Sequence, residues 1–493
     1  MKPVNDPLDL AVAAEWSGLW WLPNDPAHQV PGVLRYDPDD GLRLSLIGAF
    51  EDRIMSSPSP GVTAIHEGRR SWDVIHGAAD HREVTLLGCT PVGGKRTFGA
   101  RVASPDTQIV VATTALIGAY VVDEDEAAFS AAEISIEDLG LWAASSVFEG
   151  FIGAPEGRPD GSGSISVKAV EAESVLVEGT EYRLVHRHTL PFFDQRKGGT
   201  VGRMRDTTFM RVAPAAPCSV IAALGMAGLV QDLISLATHR AAGVIWLRVE
   251  MPVAEGSEDS RVPRMYAEVL YSPAARGRHD AKAVDHHQVF FTCESLAFEE
   301  VIPRWCALRE RLHAATNMIL GLRYAPASFV ESNLLTAAGA AEVLHRALRI
   351  DEKPFPAAEF TAMRTAMLEQ VPEEHRPRLK SAIRNDPTLK DRLNALAARP
   401  DPEAIALLMP DVDQWSRRTT RARNDLAHEG STPDHAVEEL IAIVEVTTAV
   451  VILNVLQELG LPSDRQCDIV RHHPQLRATA RVAREWLAAP GND

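Results

Sequence analysis

The chain has 493 residues, 45% of them hydrophobic and 24% charged, a composition typical of a soluble protein with two or three globular domains. Its net charge of −17 argues against a protein that coats nucleic acid through a broadly basic surface, but it does not exclude a small basic cleft. Five scattered cysteines without a Cys-x-x-Cys pair argue against a disulfide framework or a structural zinc site and predict reduced thiols.

The first half of the chain has the pattern of a β-rich domain. Short alternating segments are separated by Gly- and Pro-rich loops, as in sandwiches and open barrels. A turn at 37–41 joins the first two predicted strands, and one helix is expected over 217–241. The predicted strands lie at 32–36, 42–46, 71–75, 83–87, 108–113, 164–170 and 182–188.

The second half has helical periodicity from about residue 295 onward. We place the domain boundary at 290–300, which gives a β-rich domain at 1–295 and an all-α region at 296–493. Pro433 suits the first turn of the last strong helix, and Gly460 suits its end. The predicted helices lie at 298–320, 333–350, 359–368, 377–383, 389–398, 402–408, 412–427 and 433–459.

The most apolar segment, Leu440 to Leu456, raises the question of a membrane span. Glu445, two threonines and Asn454 interrupt it, so it predicts a buried bundle helix instead. The first residues carry no signal-peptide pattern. We therefore expect a cytoplasmic protein without a membrane partner.

An arginine and a histidine separated by four residues are a candidate pair for metal-free cleavage of RNA. With 42 arginines and 17 histidines, about 1.4 such pairs are expected by chance, and the chain has two. Arg183 and His188 fall in an alternating strand, where positions five apart point to opposite faces. That pair therefore predicts a solvated strand face.

The second pair, Arg423 and His428, falls on a predicted helix that ends at Gly430. Two interpretations remain open on helix context alone: a catalytic pair, or a surface ion pair beside a partly exposed histidine near the helix C-terminus. Asn424 is placed to cross-link the turn and hold the pair in register.

Arg423-Asn424-Asp425-Leu426-Ala427-His428, followed by a long apolar helix, resembles the Arg-Asn-x-x-x-His signature of HEPN domains. The segment 333–350 is similar to the opening HEPN helix, with Glu342 where that family often carries an acid. Segments 18–23, 32–34, 84–88 and 116–118 are similar to the ApeA N-terminal domain. The sequence departs from the pattern at Glu429, where small residues are common.

The resemblance implies an α+β multidomain fold, in which a sandwich or barrel-like ApeA domain precedes an all-α HEPN bundle with its core at about 325–460. It also implies an anti-phage, abortive-infection endoribonuclease that works without metal or cofactor and leaves 2′,3′-cyclic phosphate ends. His428 would move protons, Arg423 would clamp phosphate, Asn424 would orient the backbone or contact phosphate, and Glu342 would position Arg423 or His428. Glu342 and His345 could equally form a helix-surface ion pair.

The expected partners follow from the same resemblance. They are an RNA substrate, such as tRNA or another cellular RNA, and a phage-derived trigger sensed by the first domain. A second copy of the chain is also expected to bind through the helical domain, as a dimer or within a higher oligomer, and the apolar excess of 440–456 is consistent with such packing. A different class of function stays open, in which the bundle is a non-catalytic sensor or scaffold that binds nucleotide or RNA.

Two arginine clusters could attract phosphate despite the acidic whole. Arg417, Arg418 and Arg421 lie beside the motif, and Arg477, Arg481 and Arg484 form a basic stripe on a terminal helix, although a solvated helix face is the commoner outcome. The basic glycine loop 196–205 lacks a P-loop ending and predicts a hairpin tip. The segment 285–287 with Cys293 is a weak zinc pattern because it lacks a ligand pair.

Overall fold

The computed structural model of the protein describes residues 6–50, 53–59, 62–67, 71–95, 104–153, 158, 160–252, 264–350 and 353–488. The chain divides into two compact units. Unit 1 comprises Met1–Val284 and Thr292–Ile302, and unit 2 comprises Asp285–Phe291 and Pro303–Asp493. Along the sequence the chain enters unit 2 at Asp285, returns to unit 1 at Thr292 and enters unit 2 again at Pro303. The predicted boundary at 290–300 falls within this stretch.

The described residues of unit 1 form nineteen strands and two helices, which confirms the predicted β-rich class. The helices are α1 (Leu139–Ala143) and α2 (Val220–Thr238). The strands are β1 (Ala14–Trp21), β2 (Val30–Asp37), β3 (Gly41–Ile47), β4 (Arg53–Ser59), β5 (Val62–Glu67), β6 (Trp72–Ala79), β7 (Arg82–Lys95), β8 (Thr107–Ala112), β9 (Thr114–Ile117), β10 (Ala131–Ile136), β11 (Phe148–Ile152), β12 (Gly163–Val167), β13 (Glu173–Val177), β14 (Thr180–His188), β15 (Phe192–Arg196), β16 (Gly199–Arg203), β17 (Asp206–Pro214), β18 (Val244–Glu250) and β19 (Tyr266–Leu270).

Thirteen of these strands form one sheet in the order β13-β14-β17-β10-β18-β19-β9-β7-β6-β1-β2-β3-β8. Because β8 also pairs with β7, the six strands β7-β6-β1-β2-β3-β8 close into a barrel. The predicted hairpin is β2 and β3, joined where Gly41 adopts a positive φ of 77° that favours glycine. Burial alternates along β2, so Leu34 and Tyr36 enter the apolar core of the barrel.

The helices of the second half begin with α3, which carries the chain from unit 1 into unit 2 after Ile302. The helices are α3 (Phe298–Tyr324), α4 (Val330–Ala347), α5 (Ala357–Glu369), α6 (Arg376–Ala382), α7 (Leu389–Ala397), α8 (Pro402–Leu408), α9 (Val412–Glu429), α10 (Val437–Glu458), α11 (Ser463–His472) and α12 (Pro474–Trp486).

Helix α10 starts four residues later than the predicted Pro433. His435 N donates to Thr432 O at 3.1 Å in a separate turn, and Ala436 is extended with ψ 151°. The helix can therefore begin only at Val437. The predicted helix end is right, since Gly460 follows in the left-handed region with φ 91°.

Two helices, α2 and α10, are long and apolar enough to cross a membrane by length and composition. In α10 the most apolar window is 89% buried inside the protein, and in α2 it is 56% buried. Between residues 439 and 456 of α10, all side chains except those of Ile441 and Glu445 are buried. This apolar run therefore supplies the core of its own chain, and the expected packing across a dimer interface, which stays a prediction, would use its solvent-facing positions.

Candidate active site in the helical unit

The motif 423–428 lies in the last two turns of α9. The Asp411 side chain caps this helix by accepting from Gln414 N at 2.9 Å, and Gly430 ends it with φ 71°. Trp415 and Ala422 are buried on one face, as the spacing predicts. Helix α9 packs against α4 and α7, and these two neighbours bring charged side chains to the motif.

One carboxylate organises the site. Glu342 on α4 accepts from Arg423 Nη2 at 3.1 Å through Oε1, and from Arg346 Nη2 at 3.2 Å through Oε2. Arg392 Nη1 on α7 lies 3.5 Å from the same Oε2. Three guanidinium groups thus surround a single, mostly buried carboxylate, and the local charge is positive although the whole chain is acidic.

This arrangement holds Arg423 in a defined orientation. Its Nη2 is bonded to Glu342, and its Nη1 donates to Asn424 Oδ1 at 3.3 Å. The Arg423 side chain remains 34% exposed, so part of its donor fork faces solvent. A guanidinium fixed on one edge and open on the other can bind a phosphate oxygen without first losing its side-chain entropy.

His428 is exposed near the C-terminal end of α9. Within the described parts of the chain its imidazole has no hydrogen-bond or ion-pair partner, so both ring nitrogens are available. Asn424 lies four residues before it, on the same helix face. Arg423 lies five residues before it and therefore points roughly 140° away around the helix axis.

The sequence left two roles open for Glu342: positioning Arg423 or His428, or forming a helix-surface ion pair with His345. Glu342 bonds to Arg423 and to Arg346. The His345 side chain is instead buried within unit 2. The surface ion pair on this helix is Glu342–Arg346, at a spacing of four residues.

Arg392 and Arg346 are site residues that the sequence interpretation missed. Arg346 follows Glu342 by four residues, a spacing that predicts such a contact. Arg392 comes from a different helix and falls in no motif, so a single sequence gives no signal for it. Its Nε atom is buried without a hydrogen-bond partner in the described residues.

The cluster Arg417, Arg418 and Arg421 is largely neutralised. Arg417 pairs with Asp413, and Arg421 pairs with Asp434. Arg418 donates at 2.9 Å to Glu439 Oε1 and at 2.8 Å to Trp486 O, which ties α9 to the start of α10 and the end of α12. Arg418 is therefore a structural residue, and the other two present paired charges.

The stripe Arg477, Arg481 and Arg484 is exposed on α12, as predicted, and borders a groove of about 540 Å³ with α8 and α11. Arg484 Nη2 donates to Leu407 O at 2.9 Å. Across the residues that the structure describes, Arg477 and Arg481 have no acidic partner. Both guanidinium groups can therefore attract an anion.

The weaker candidates have ordinary structures. Residues 196–205 form the tip and second strand of the β15–β16 hairpin. Arg183 and His188 lie on strand β14, as predicted. Asp285, His286 and His287 belong to a short 3₁₀ turn, and burial raises the pKa of Cys293. In the described ranges no three His, Cys, Asp or Glu side chains are grouped to hold a metal ion.

A barrel-containing β-domain followed by a helical bundle with an Arg-Asn-x-x-x-His motif defines a two-domain protein of the HEPN class. Family models agree: ApeA N-terminal domain 1 matches residues 15–305, more than half of the chain, and Apea-like HEPN matches residues 335–465. The chain therefore belongs to the ApeA family, a family of HEPN-type anti-phage nucleases. No curated protein and no solved structure gives a significant match.

Proposed function

We propose that this chain is a metal-independent endoribonuclease that cleaves RNA by attack of the 2′-hydroxyl on the adjacent phosphate. The observation that carries the proposal is the joint placement of two groups on α9. One is a guanidinium that Glu342 holds in a net positive cluster, and the other is an exposed imidazole without a partner among the described residues. HEPN domains are generally ribonucleases.

Arg423 would bind the scissile phosphate with the edge of its fork that faces solvent. As the 2′-oxygen attacks, negative charge grows on the non-bridging oxygens, and a fixed guanidinium stabilises that charge without reorganising. Arg392 and Arg346 add positive potential because Glu342 neutralises only one of the three cations. Asn424 would support Arg423 through its Oδ1.

His428 would carry the proton transfers. The 2′-hydroxyl gives its proton to a neutral imidazole while the bond from O2′ to phosphorus forms. The bond from phosphorus to O5′ then breaks, and a protonated imidazole delivers a proton to the leaving oxygen. The products are a 2′,3′-cyclic phosphate and a 5′-hydroxyl, and no metal-activated water is needed because RNA supplies its own nucleophile.

The two proton transfers occur on opposite sides of the phosphorus, so we propose a homodimer in which two copies of His428 face one RNA strand. Val437 and Ile441 are exposed one turn apart on α10, in the first turns after the motif, and provide a small apolar contact. Mixing wild-type chains with an excess of His428→Ala chains tests this arrangement, because mixed dimers hold a single copy of His428 and should lose cleavage.

The α12 groove would bind the RNA backbone outside the cleavage site. Arg477 and Arg481 are the strongest candidates, since they have no acidic partner in the described structure, and Arg484 lies on the same groove. Arg417 and Arg421 would add less attraction because their charges are paired. The substrate would be tRNA or another cellular RNA in the cytoplasm, and unit 1 would sense a phage-derived trigger.

The deciding experiment is incubation of the full-length protein with total cellular RNA in EDTA, followed by mapping of the new ends. Wild-type protein should produce cyclic phosphate and 5′-hydroxyl ends, while His428→Ala and Arg423→Ala should produce neither. His375→Ala and Arg465→Ala are matched controls on exposed surface positions and should cleave normally. RNA binding without cleavage by the wild type would support the non-catalytic sensor instead, and loss of wild-type cleavage in EDTA would indicate a metal enzyme.

A further inference from the structure

Three side chains of unit 1 form a hydrogen-bonded series outside the HEPN motif. Ser145 Oγ lies 2.9 Å from His186 Nε2. On the other side of the ring, His186 Nδ1 lies 3.3 Å from Asp206 Oδ2 and 3.3 Å from Thr208 Oγ1. A hydroxyl at Nε2 and a carboxylate at Nδ1 are the arrangement in which a histidine activates a serine nucleophile.

The fold places these residues by simple means. His186 on β14 is the register partner of Thr208 on β17, and Asp206 begins β17 two residues earlier on the same face. Helix α1 ends when Ala144 adopts a left-handed conformation with φ 53° and ψ 23°, which is unusual for a residue other than glycine. That turn directs the next residue, Ser145, toward the histidine.

The histidine of this series is buried, whereas the serine faces a cavity, as a base and its nucleophile require. The side chain of His186 is only 3% exposed and that of Asp206 16% exposed, so the base is shielded from water. Ser145 and Asp206 line a cavity of about 540 Å³ that lies wholly within unit 1. The lining mixes basic side chains such as Lys282 with acidic ones such as Asp9 and Asp138, so it does not repel a neutral ester.

Donors for a developing negative charge are also present. The backbone N–H groups of Ser145 and Ser146 make no hydrogen bond within the described residues, and both residues line the cavity. Two unpaired amides beside a hydroxyl can donate hydrogen bonds to the oxyanion of a tetrahedral intermediate. Val147 N donates to Asp206 Oδ2 at 3.5 Å, which helps to orient the carboxylate.

We propose that Ser145, His186 and Asp206 form a second catalytic centre, a serine-dependent acyl hydrolase that acts on small carboxylic esters. Ser145 Oγ bonds to the carbonyl carbon and its proton passes to His186 Nε2. The bond from that carbon to the alcohol oxygen breaks, and His186 returns the proton to the leaving alcohol. Water then releases the acid by the same route in reverse, and Asp206 stays ionised throughout.

A fluorophosphonate probe tests this centre on the full-length protein. The wild type should form a covalent adduct in which Ser145 Oγ replaces fluoride at phosphorus, and peptide mapping should locate it at Ser145 without the use of any variant. Ser145→Ala and His186→Ala should lose labelling, whereas Ser164→Ala, which changes an exposed hydroxyl on β12 outside the cavity, should keep it. Turnover of 4-nitrophenyl acetate should fall at least about 100-fold in Ser145→Ala.

Two results of the labelling experiment would contradict a catalytic centre at Ser145. A wild-type protein that acquires no adduct, or one whose adduct maps away from Ser145, overturns the proposal. His428→Ala should label as well as the wild type, because that residue belongs to unit 2 and takes no part in this chemistry. A negative labelling result would therefore not count against the proposed ribonuclease. Likewise, absence of RNA cleavage would not count against the proposed acyl hydrolase.

Discussion

Replacing Glu342 with glutamine is the sharpest perturbation of the proposed ribonuclease site, because it keeps the shape and removes the charge that orients Arg423. The carboxylate accepts from Arg423 at 3.1 Å and from Arg346 at 3.2 Å, and it lies 3.5 Å from Arg392. Arg423 stays charged in Glu342→Gln, so it keeps a hydrogen bond to the amide oxygen and loses only its attraction to the carboxylate charge. The hold on Arg423 should therefore weaken by roughly 0.5–2 kcal/mol.

A second contribution comes from the other carboxylate oxygen. In Glu342→Gln one side-chain oxygen becomes an amide nitrogen, a donor, and wherever it faces an arginine the contact turns from attractive to repulsive. Together these effects should raise the barrier by about 1.4–2.7 kcal/mol, which lowers kcat by roughly 10- to 100-fold. RNA binding should not weaken, since the cluster now keeps three cations and no anion.

The assay is steady-state cleavage of a labelled RNA in EDTA, with Kd measured separately in a His428→Ala background. Glu331→Gln on the same helix is the matched control, because Glu331 has no ion-pair partner within the described structure, and it should leave kcat unchanged. Wild-type kcat in Glu342→Gln refutes a positioning role. Equal losses in kcat and binding refute it as well, because they indicate a general structural defect.

Three further predictions concern binding, assembly and pH. The double variant Arg477→Ala/Arg481→Ala should reduce the slope of log affinity for single-stranded RNA against log salt by roughly 1.4, with kcat at saturating RNA unchanged. Ile441→Glu should abolish dimers in light scattering and abolish cleavage with them. Burial, assisted by Arg323, lowers the pKa of His473 to about 4, so stability present above about pH 6.5 should be lost as pH falls toward 4, by about 3 kcal/mol in total.

Each of these predictions has a matched control. Arg465 is paired with Asp468, so Arg465→Ala should leave the salt slope unchanged. An equal change of slope in this control would contradict RNA binding by the α12 groove. A dimer that survives Ile441→Glu places the contact elsewhere. His473→Gln should unfold with a shallower dependence on pH between 7 and 4, and an unchanged dependence assigns the acid sensitivity to other groups.

Most of the helical half could be predicted closely because its helices carry their own signals, although α11 was not predicted. Proline and glycine positions mark the ends of most helices, and apolar spacing marks their buried faces. The start of α10 was misplaced because Pro433 suits a helix and equally suits the turn that precedes it. The barrel was predicted as strands without an order, since closure depends on the pairing of β7 with β8, which no local pattern encodes.

The candidate site could also be predicted only in part, because a local motif can be read from the sequence and the packing of distant helices cannot. Arg423, Asn424 and His428 share one helix, so a motif can point to them, and the family pattern points to Glu342. Arg392 reaches the same carboxylate from α7, and that meeting depends on how three helices pack. The Ser145 series was invisible because its members come from α1, β14 and β17 and only the sheet register brings them together.

The geometry of α9 itself argues for a shared site. Arg423 and His428 differ by about 7.5 Å along the helix and roughly 140° around it, so one chain presents them on different faces. In-line transfer needs proton carriers on both sides of the phosphorus, and one exposed imidazole can serve one side at a time. Most side chains of α10 are buried in the core of their own chain. Only solvent-facing positions such as Val437 and Ile441 can contact a second chain. Because α10 begins seven residues after Gly430, a contact there fixes the distance between two copies of His428, and disrupting it should abolish cleavage even though each chain retains its motif intact.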